Sequence, residues 1–119
     1  INLQIDLTEE EDTLLRTNNI KNPRHQLSTL AGTATICEQL DAIISVDTSI
    51  CHLAGILEIP TFLLLSKASD WRWGNASFRT PWYNNMKLFK QVNLGEWGEP
   101  LETMIREVEN DVIPKRISI

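Results

Sequence analysis

Two short runs of mainly apolar residues stand near the middle of the chain, at residues 42–46 and 61–65. A nearly continuous apolar run of this length is typical of a strand buried on both faces, as in a parallel sheet. Between the runs, apolar residues recur at helical spacing and predict one buried stripe, formed by Ile50, Leu53, Ala54 and Leu57. Strand, helix and strand in this order predict a βαβ unit, whose crossover is right-handed in nearly all known proteins.

Weaker patterns predict further elements on both sides of this unit. A threonine before a run of acids marks a helix start, because the helix dipole favours negative charge there. Before the βαβ unit, the further elements are a short strand or the end of one at 2–5, a helix from Thr8 to about Arg16 that Asn18 and Asn19 break, a loop with Pro23 at 20–28 in which a short strand is an alternative, and a helix from Thr33 or Thr35 to Leu40. After it come a strand at 86–89 and a helix from Pro100 with Leu101, Met104, Ile105 and Val108 on one face. The whole pattern predicts an α/β fold, a Rossmann-like parallel sheet flanked by helices.

Composition and charge narrow the class of protein. The 119 residues are 42% hydrophobic and 23% charged, which predicts a single globular domain over residues 1–119. A net charge of −5 argues against a nucleic-acid partner, because such proteins carry basic residues for the phosphates. No apolar run approaches the roughly 18 residues of a membrane helix, so we expect no membrane span. The chain opens on Ile1 rather than Met, and we interpret it as a piece of a larger protein.

The cysteines and histidines give little support for a disulfide framework or a metal centre. Two cysteines, Cys37 and Cys51, are too few for a disulfide scaffold and predict a reduced, cytoplasmic setting. Together with His25 and His52 they lack the paired spacing of a structural zinc site. We therefore expect no metal and no cofactor. The sequence also lacks the glycine-rich phosphate loops and the G-x-S-x-G nucleophile motif.

The segment after the first apolar run carries the strongest candidate chemistry. Ligands of open parallel sheets bind beyond the carboxyl ends of the strands, where Asp47, Thr48 and Ser49 follow. Asp47 or Thr48 can cap the next helix, whose first N–H groups and neighbouring hydroxyls would form an anion site for a diphosphate. We expect His52 to point away from the core at this end, with Gly55 on a similar side to leave room for close approach. A helix cap without a ligand explains the same residues, and a phosphoacceptor aspartate is a weaker alternative.

A basic and aromatic segment follows at residues 67–90. It holds five Lys or Arg against one Asp, a local charge of +4, together with six aromatic residues. Cations interleaved with aromatic rings suit a ligand that has a phosphate and a planar base. We expect Trp71, Arg72 and Trp73 to form a wall or lid of the ligand cleft. The alternative is that both tryptophans pack inward and the arginine forms a structural ion pair.

Several segments in order along the chain resemble one family. Residues 40–55, around Asp47-Thr48-Ser49-Ile50 and His52, resemble the donor-site motif of heptosyltransferase-type glycosyltransferases. More closely, they resemble the glycosyltransferase-like C-terminal region of bacterial tetratricopeptide-repeat proteins. The other segments that carry the resemblance are Leu3-Gln4-Ile5-Asp6, Ile59-Pro60, Asp70-Trp71-Arg72-Trp73, Pro81-Trp82-Tyr83, Met86-Lys87-Leu88-Phe89-Lys90-Gln91 and Gly95-Glu96-Trp97.

The resemblance implies a GT-B architecture, in which two Rossmann-like domains enclose the active site. The chain would be its C-terminal half, which binds a nucleotide-sugar donor, and the parent enzyme would transfer a sugar to an acceptor hydroxyl. The donor diphosphate would bind at Asp47, Thr48, Ser49 and Ile50, with His52 beside it. In the family the catalytic base belongs to the N-terminal domain of the parent chain. We therefore expect no catalytic residue here and no activity from the chain alone.

Departures from the family pattern leave a second function class open. Ser66 stands where the family usually has proline, and Cys51 where it has a small apolar residue. Residues 28–34 lack both acids that the family carries in the corresponding segment. The alternative function is a non-catalytic binding or interaction module that keeps the glycosyltransferase fold.

Overall fold

The chain divides into two compact units, residues 1–39 and residues 40–119, in a computed structural model that describes residues 1–68, 80 and 83–113. The first unit holds helix α1 (Glu9–Thr17), a 3-10 turn (Gln26–Ser28) and helix α2 (Leu30–Glu38). The second unit holds strand β1 (Ile43–Val46), helix α3 (Ser49–Ile56), strands β2 (Thr61–Leu65) and β3 (Met86–Lys90), and helix α4 (Gly98–Asp111). This arrangement confirms the predicted α/β fold, whereas the single domain over residues 1–119 stays a prediction.

Helix α1 begins and ends as its sequence predicts. The Thr8 hydroxyl accepts a hydrogen bond from the Glu11 N–H at 3.1 Å, and the Glu11 carboxylate accepts one from the Thr8 N–H at 3.4 Å. This reciprocal capping box satisfies two N–H groups at the helix end. At the other end, Asn19 adopts a left-handed φ of 55°. The N–H groups of Asn19 and Ile20 then return to carbonyls of the last turn, which closes the helix.

Two predictions in the first unit are wrong. Residues 2–5 form no strand, because the Asn2 side chain hydrogen-bonds to both the N–H and the carbonyl of Gln4, the backbone groups that a strand partner would pair with. Helix α2 starts at Leu30 and not at Thr33 or Thr35. Thr29 takes the N-cap, where its hydroxyl accepts from the Gly32 N–H at 3.0 Å. Thr33 lies inside the helix and donates to the Thr29 carbonyl.

The second unit is built on a parallel sheet with strand order β1-β2-β3. Alternate side chains of a strand point to opposite faces, and helices cover both faces of β2. On one face, α3 supplies a buried cysteine to a core of Cys51, Leu63, Leu65, Met86 and Leu88. On the other face, α4 supplies Met104 to a core with Phe62 and Phe89, whose rings stack at a centroid distance of 6.1 Å. The sheet thus lies between two helices.

Strand β1 is not buried on both faces, contrary to the prediction from its apolar run. Ile43 is buried, but Ile44 and Val46 are 54% and 51% exposed. The reason is the position of β1 at one end of the strand order, while α4 packs its apolar residues on β2 and β3. An apolar run therefore predicted the strand correctly and its burial incorrectly. Strand β2, in the middle of the order, is buried as predicted.

The buried faces of α3 and α4 also differ from the predicted stripes. In α3 the buried residues are Cys51, Ala54 and Gly55, so the helix is rotated relative to the stripe of larger apolar residues. In α4 the buried residues are Pro100 and Met104, whereas the predicted Leu101 and Ile105 are exposed. Each helix contacts the sheet through a narrow row of residues spaced three or four apart. Among the described residues, no helix is long and apolar enough to cross a membrane.

Candidate functional site

The predicted diphosphate turn lies at the carboxyl end of β1 and leads directly into α3. Asp47, Thr48 and Ser49 are exposed, and Ile50 and His52 are partly buried. The five residues that the sequence assigns to the donor site thus fall within one turn of chain in the second unit. Open parallel sheets place their ligands at this edge.

The start of α3 offers backbone donors and hydroxyl groups together. Thr48 takes the N-cap position with extended backbone, at φ −138° and ψ 176°, as one of the two predicted caps. Its side chain makes no capping hydrogen bond within the described part of the chain; its hydroxyl donates to the Val46 carbonyl at 3.4 Å and lies 3.5 Å from the Ser45 hydroxyl. Ser49 and Ile50 hold the first two helical positions, where backbone N–H groups have no intrahelical acceptor. Such N–H groups favour an anion.

Both ring nitrogens of His52 face a polar side chain. Its Nε2 lies 3.6 Å from Oδ1 of Asp47, and its Nδ1 lies 3.3 Å from the hydroxyl of Tyr83. The two rings are tilted by 59° with centroids 6.0 Å apart. The imidazole is therefore oriented between a carboxylate at the strand end and a phenol from the segment before β3. The sequence predicted the place of His52 at this end of the helix, but not these partners.

Tyr83 fills the space that Gly55 was expected to leave for a ligand. A Cβ atom added at Gly55 would lie 2.5 Å from Cδ1 of the Tyr83 ring, closer than real Cβ contacts. Gly55 and His52 stand three residues apart and share a helix face, as expected. The group that closely approaches Gly55 is therefore the Tyr83 ring of the chain itself. The only sequence indication of this role is that Tyr83 belongs to the Pro81-Trp82-Tyr83 segment of the family resemblance.

Cys51 lies directly behind the turn and is fully buried. Its Sγ donates a hydrogen bond to the Thr48 carbonyl at 3.0 Å. Burial raises the pKa of the Cys51 thiol, and the negative charge of Asp47 adds to this rise. The thiol therefore stays protonated at neutral pH unless a cation stabilises its thiolate. The sequence alone indicates no function for Cys51.

Three potential metal ligands meet at this turn. One ligand atom each from Asp47, Cys51 and His52 lies within 4.8 Å of the other two. The prediction that no metal binds was based on the spacing of cysteines and histidines and did not count the aspartate. A strand end and the first helical turn bring these residues together, and no paired Cys or His spacing is needed for that.

The basic and aromatic segment is only partly described by the structure. Trp71, Arg72 and Trp73, the predicted cleft wall, lie outside the described residues. Lys87 of β3 hydrogen-bonds to the carboxylates of Glu107 and Asp111 on α4. These bonds raise the pKa of Lys87, the one to Asp111 most strongly. At least one cation of the segment, Lys87, therefore pairs with carboxylates of α4 and is not positioned to bind a ligand at the turn.

A separate groove of about 300 Å³ lies between β3 and α4. Its lining includes Lys87, Lys90, Glu99 and Glu107, which are of both charge signs. None of the residues predicted for the donor site lines it. The groove is therefore distinct from the turn that follows β1.

The chain matches no protein-family model, no curated protein and no solved structure. The described geometry defines an α/β domain of Rossmann-like type with an anion-suited turn at the carboxyl edge of its sheet.

Proposed function

We propose that the chain is the part of a heptosyltransferase-type glycosyltransferase that binds the nucleoside diphosphate of a sugar donor. The observation that carries the proposal is the position of Asp47 through Ile50, between the carboxyl end of β1 and the first turn of α3. Two backbone N–H groups and the Ser49 hydroxyl lie there, and the Thr48 hydroxyl and the His52 imidazole would exchange their present contacts for phosphate oxygens. The ordered sequence resemblance supports the same assignment.

The chemistry of sugar transfer gives this turn its role. When the bond between the sugar and the nucleotide breaks, negative charge develops on the departing diphosphate. Donors that already point to that charge stabilise the transition state, and the positive end of α3 adds to the effect. The base that activates the acceptor would come from the N-terminal domain of the parent chain. We assign a cytoplasmic location to the parent, in keeping with two cysteines that form no disulfide.

Isothermal titration calorimetry of the 119-residue chain with nucleoside diphosphates and nucleotide sugars tests the proposal. We expect Thr48→Val combined with His52→Ala to weaken binding at least about tenfold, because a hydrogen bond to a charged group contributes roughly 1.5–3 kcal/mol. Matched controls are Thr103→Val and His25→Ala, which change exposed residues of the same types that do not belong to the turn. These two variants should bind like the wild type.

Two outcomes would contradict the proposal in different ways. Unchanged affinity in the Thr48→Val, His52→Ala variant would overturn the site assignment. Absence of binding to every diphosphate and nucleotide sugar, by the chain and by its full-length parent, would overturn the transferase function. The altered segment at residues 28–34 would then support the second candidate, a non-catalytic interaction module.

A further inference from the structure

The side chains around the start of α3 form a second donor set, which shares Asp47 and His52 with the proposed diphosphate site. Asp47 offers a carboxylate oxygen, Cys51 a sulfur and His52 a ring nitrogen, all within 4.8 Å of one another. A set that mixes oxygen, nitrogen and sulfur suits Zn²⁺ and similar borderline divalent ions better than Mg²⁺ or Ca²⁺, which prefer oxygen alone.

The separations are close to those of a tetrahedral centre. With metal–ligand bonds of roughly 2.0–2.3 Å, ligand atoms of a tetrahedral zinc site lie about 3.3–3.6 Å apart. Nε2 of His52 and Oδ1 of Asp47 already lie 3.6 Å apart. All three ligand atoms lie within 4.8 Å of one another, so the widest separation needs to shorten by at most about 1.2–1.5 Å to reach this range.

Two of the three metal ligands are accessible to solvent, and the third is buried. The Asp47 and His52 side chains are 37% and 32% exposed, so an ion can reach them from solvent. The Cys51 thiol lies on the buried side of the same turn. When Sγ turns to a metal, the Thr48 carbonyl loses the thiol donor but keeps the backbone N–H of Cys51 at 3.2 Å. No buried carbonyl is left without a donor by this change.

The contact between His52 and Tyr83 supplies the outer partner that metal-binding histidines typically have. A ligating histidine usually bonds its second ring nitrogen to another protein group, which fixes the ring orientation. Nδ1 of His52 lies 3.3 Å from the Tyr83 hydroxyl, and Nε2 is the nitrogen on the Asp47 side. The contact with Tyr83 is a second observation beside the distances between the ligand atoms, and it also assigns Nε2 as the nitrogen that binds the metal.

We propose that the chain binds one Zn²⁺-like divalent ion through an Asp47 carboxylate oxygen, the Cys51 thiolate and Nε2 of His52. Binding breaks the Cys51 S–H bond, forms the sulfur–metal bond and releases the proton to solvent. Three protein ligands leave a fourth position for water or an anion. The site goes beyond the diphosphate proposal and does not depend on it, because the metal binds without a nucleotide.

Titration with Co²⁺ alone, under anaerobic conditions with a reductant that contains no thiol, tests the site. Cobalt bound to a thiolate has a charge-transfer absorption in the near ultraviolet, which reports sulfur ligation directly. We expect this band to saturate at one ion per chain and to be displaced by Zn²⁺. The matched control Cys37→Ala, which removes the other buried cysteine, should keep the band, and Cys51→Ala should lose it.

Variants at the other two ligands, Asp47 and His52, test the site even if Cys51→Ala does not fold. Asp47→Asn and His52→Gln should each weaken Co²⁺ binding by more than about tenfold, and Tyr83→Phe by about tenfold, the lower end for loss of an outer partner. Circular dichroism checks that each variant is folded. Absence of the charge-transfer band at saturating Co²⁺, or unchanged affinity in both Asp47→Asn and His52→Gln, would overturn the proposal.

Discussion

Tyr83 connects the candidate site to the core of the second unit. Its ring packs against the buried cluster that contains Cys51 and covers Gly55, while its hydroxyl meets His52. The His52 imidazole, which faces Asp47, is thereby contacted on its other side by Tyr83, which is itself packed against the core. A site whose side chains are fixed in this way loses less conformational entropy when a ligand binds.

Gly55→Ala tests this contact at the scale of one atom. The new Cβ would lie 2.5 Å from the Tyr83 ring, so the ring or the helix must shift. Overpacking of this kind costs roughly 1–3 kcal/mol, while the helix propensity of alanine returns about 1 kcal/mol. We expect a lower free energy of unfolding, measured by urea denaturation, and a displaced Tyr83.

The matched control is Gly98→Ala, at the first residue of α4. No atom lies within 4 Å of a Cβ added there, so the stability should be unchanged or slightly higher. If Gly55→Ala is as stable as Gly98→Ala, the close packing of Tyr83 on α3 is wrong. Adding Tyr83→Leu to Gly55→Ala should reduce the penalty, because a smaller side chain then faces the new methyl group.

Helix α3 has an abrupt end that fixes the connection to β2. Glu58 adopts a left-handed φ of 58°, and the N–H groups of Glu58 and Ile59 donate to the carbonyls of Gly55 and Ala54. This pattern is a Schellman motif, in which glycine is the preferred residue at the left-handed position. Pro60 follows and prevents the helix from continuing.

Glu58→Gly is therefore expected to stabilise the protein. A residue with a Cβ loses roughly 1–2 kcal/mol in the left-handed conformation, and glycine removes most of that cost, although it also gains freedom in the unfolded chain. We expect the free energy of unfolding to rise by about 1 kcal/mol, measured by urea denaturation. The control Glu102→Gly, at an exposed position inside α4, should lower it by about the same amount. A loss of stability in both variants would contradict the Schellman end.

The elements that the sequence predicts well are those with local causes. Thr8 with its following acids, the break at Asn19 and the apolar run of β2 each act within a few residues, and their predictions are confirmed. The outward faces of β1 and α4 depend on which strand lies at the end of the sheet, and no local pattern contains that information. The predictions for Ile44 and Ile105 are wrong for this reason.

The same distinction applies to the candidate site. Asp47 through His52 follow each other directly, so one turn at a strand end could be predicted from the sequence. Tyr83 reaches this turn from 31 residues further along the chain, through the pairing of β2 with β3. The expectation of no metal stays a prediction; it depends on the spacing of cysteines and histidines alone, whereas the proposed metal site also uses the carboxylate of Asp47.

At the scale of the whole molecule, the net charge of −5 does not show which oppositely charged residues pair between elements. Lys87 ties β3 to α4 through Glu107 and Asp111 on successive turns of the helix. The side chain of Lys87 is 24% exposed, and both carboxylates are 42% exposed, so solvent weakens the pair. The local charge of +4 in residues 67–90 is thus partly neutralised by α4.

Lys87→Met should reveal this pair as a pH-dependent contribution to stability. The pKa of Lys87 is raised in the folded state by its two carboxylate partners. Its contribution is therefore fully present below the unfolded value, about 10.4, and is lost as the pH rises through the higher folded value. We expect Lys87→Met to lower the free energy of unfolding by about 1 kcal/mol at pH 8, with a gap that closes in strong alkali.

Lys90→Met is the matched control, on the same strand but with no ion pair among the described residues. Its effect on the free energy of unfolding should be smaller and should not follow the same alkaline profile. Urea denaturation at a series of pH values from 7 to 12 would measure both variants. Equal profiles for the two variants would contradict a specific link between Lys87 and α4.

We propose above that a nucleoside diphosphate binds at the turn between β1 and α3. The most direct test follows the backbone amide resonances of ¹⁵N-labelled protein by NMR while nucleoside diphosphates are added. We expect saturable shifts concentrated at Thr48, Ser49, Ile50 and His52, and their loss in the Thr48→Val, His52→Ala variant. Shifts confined to the groove between β3 and α4, or no shifts at the turn at saturating ligand, would contradict it.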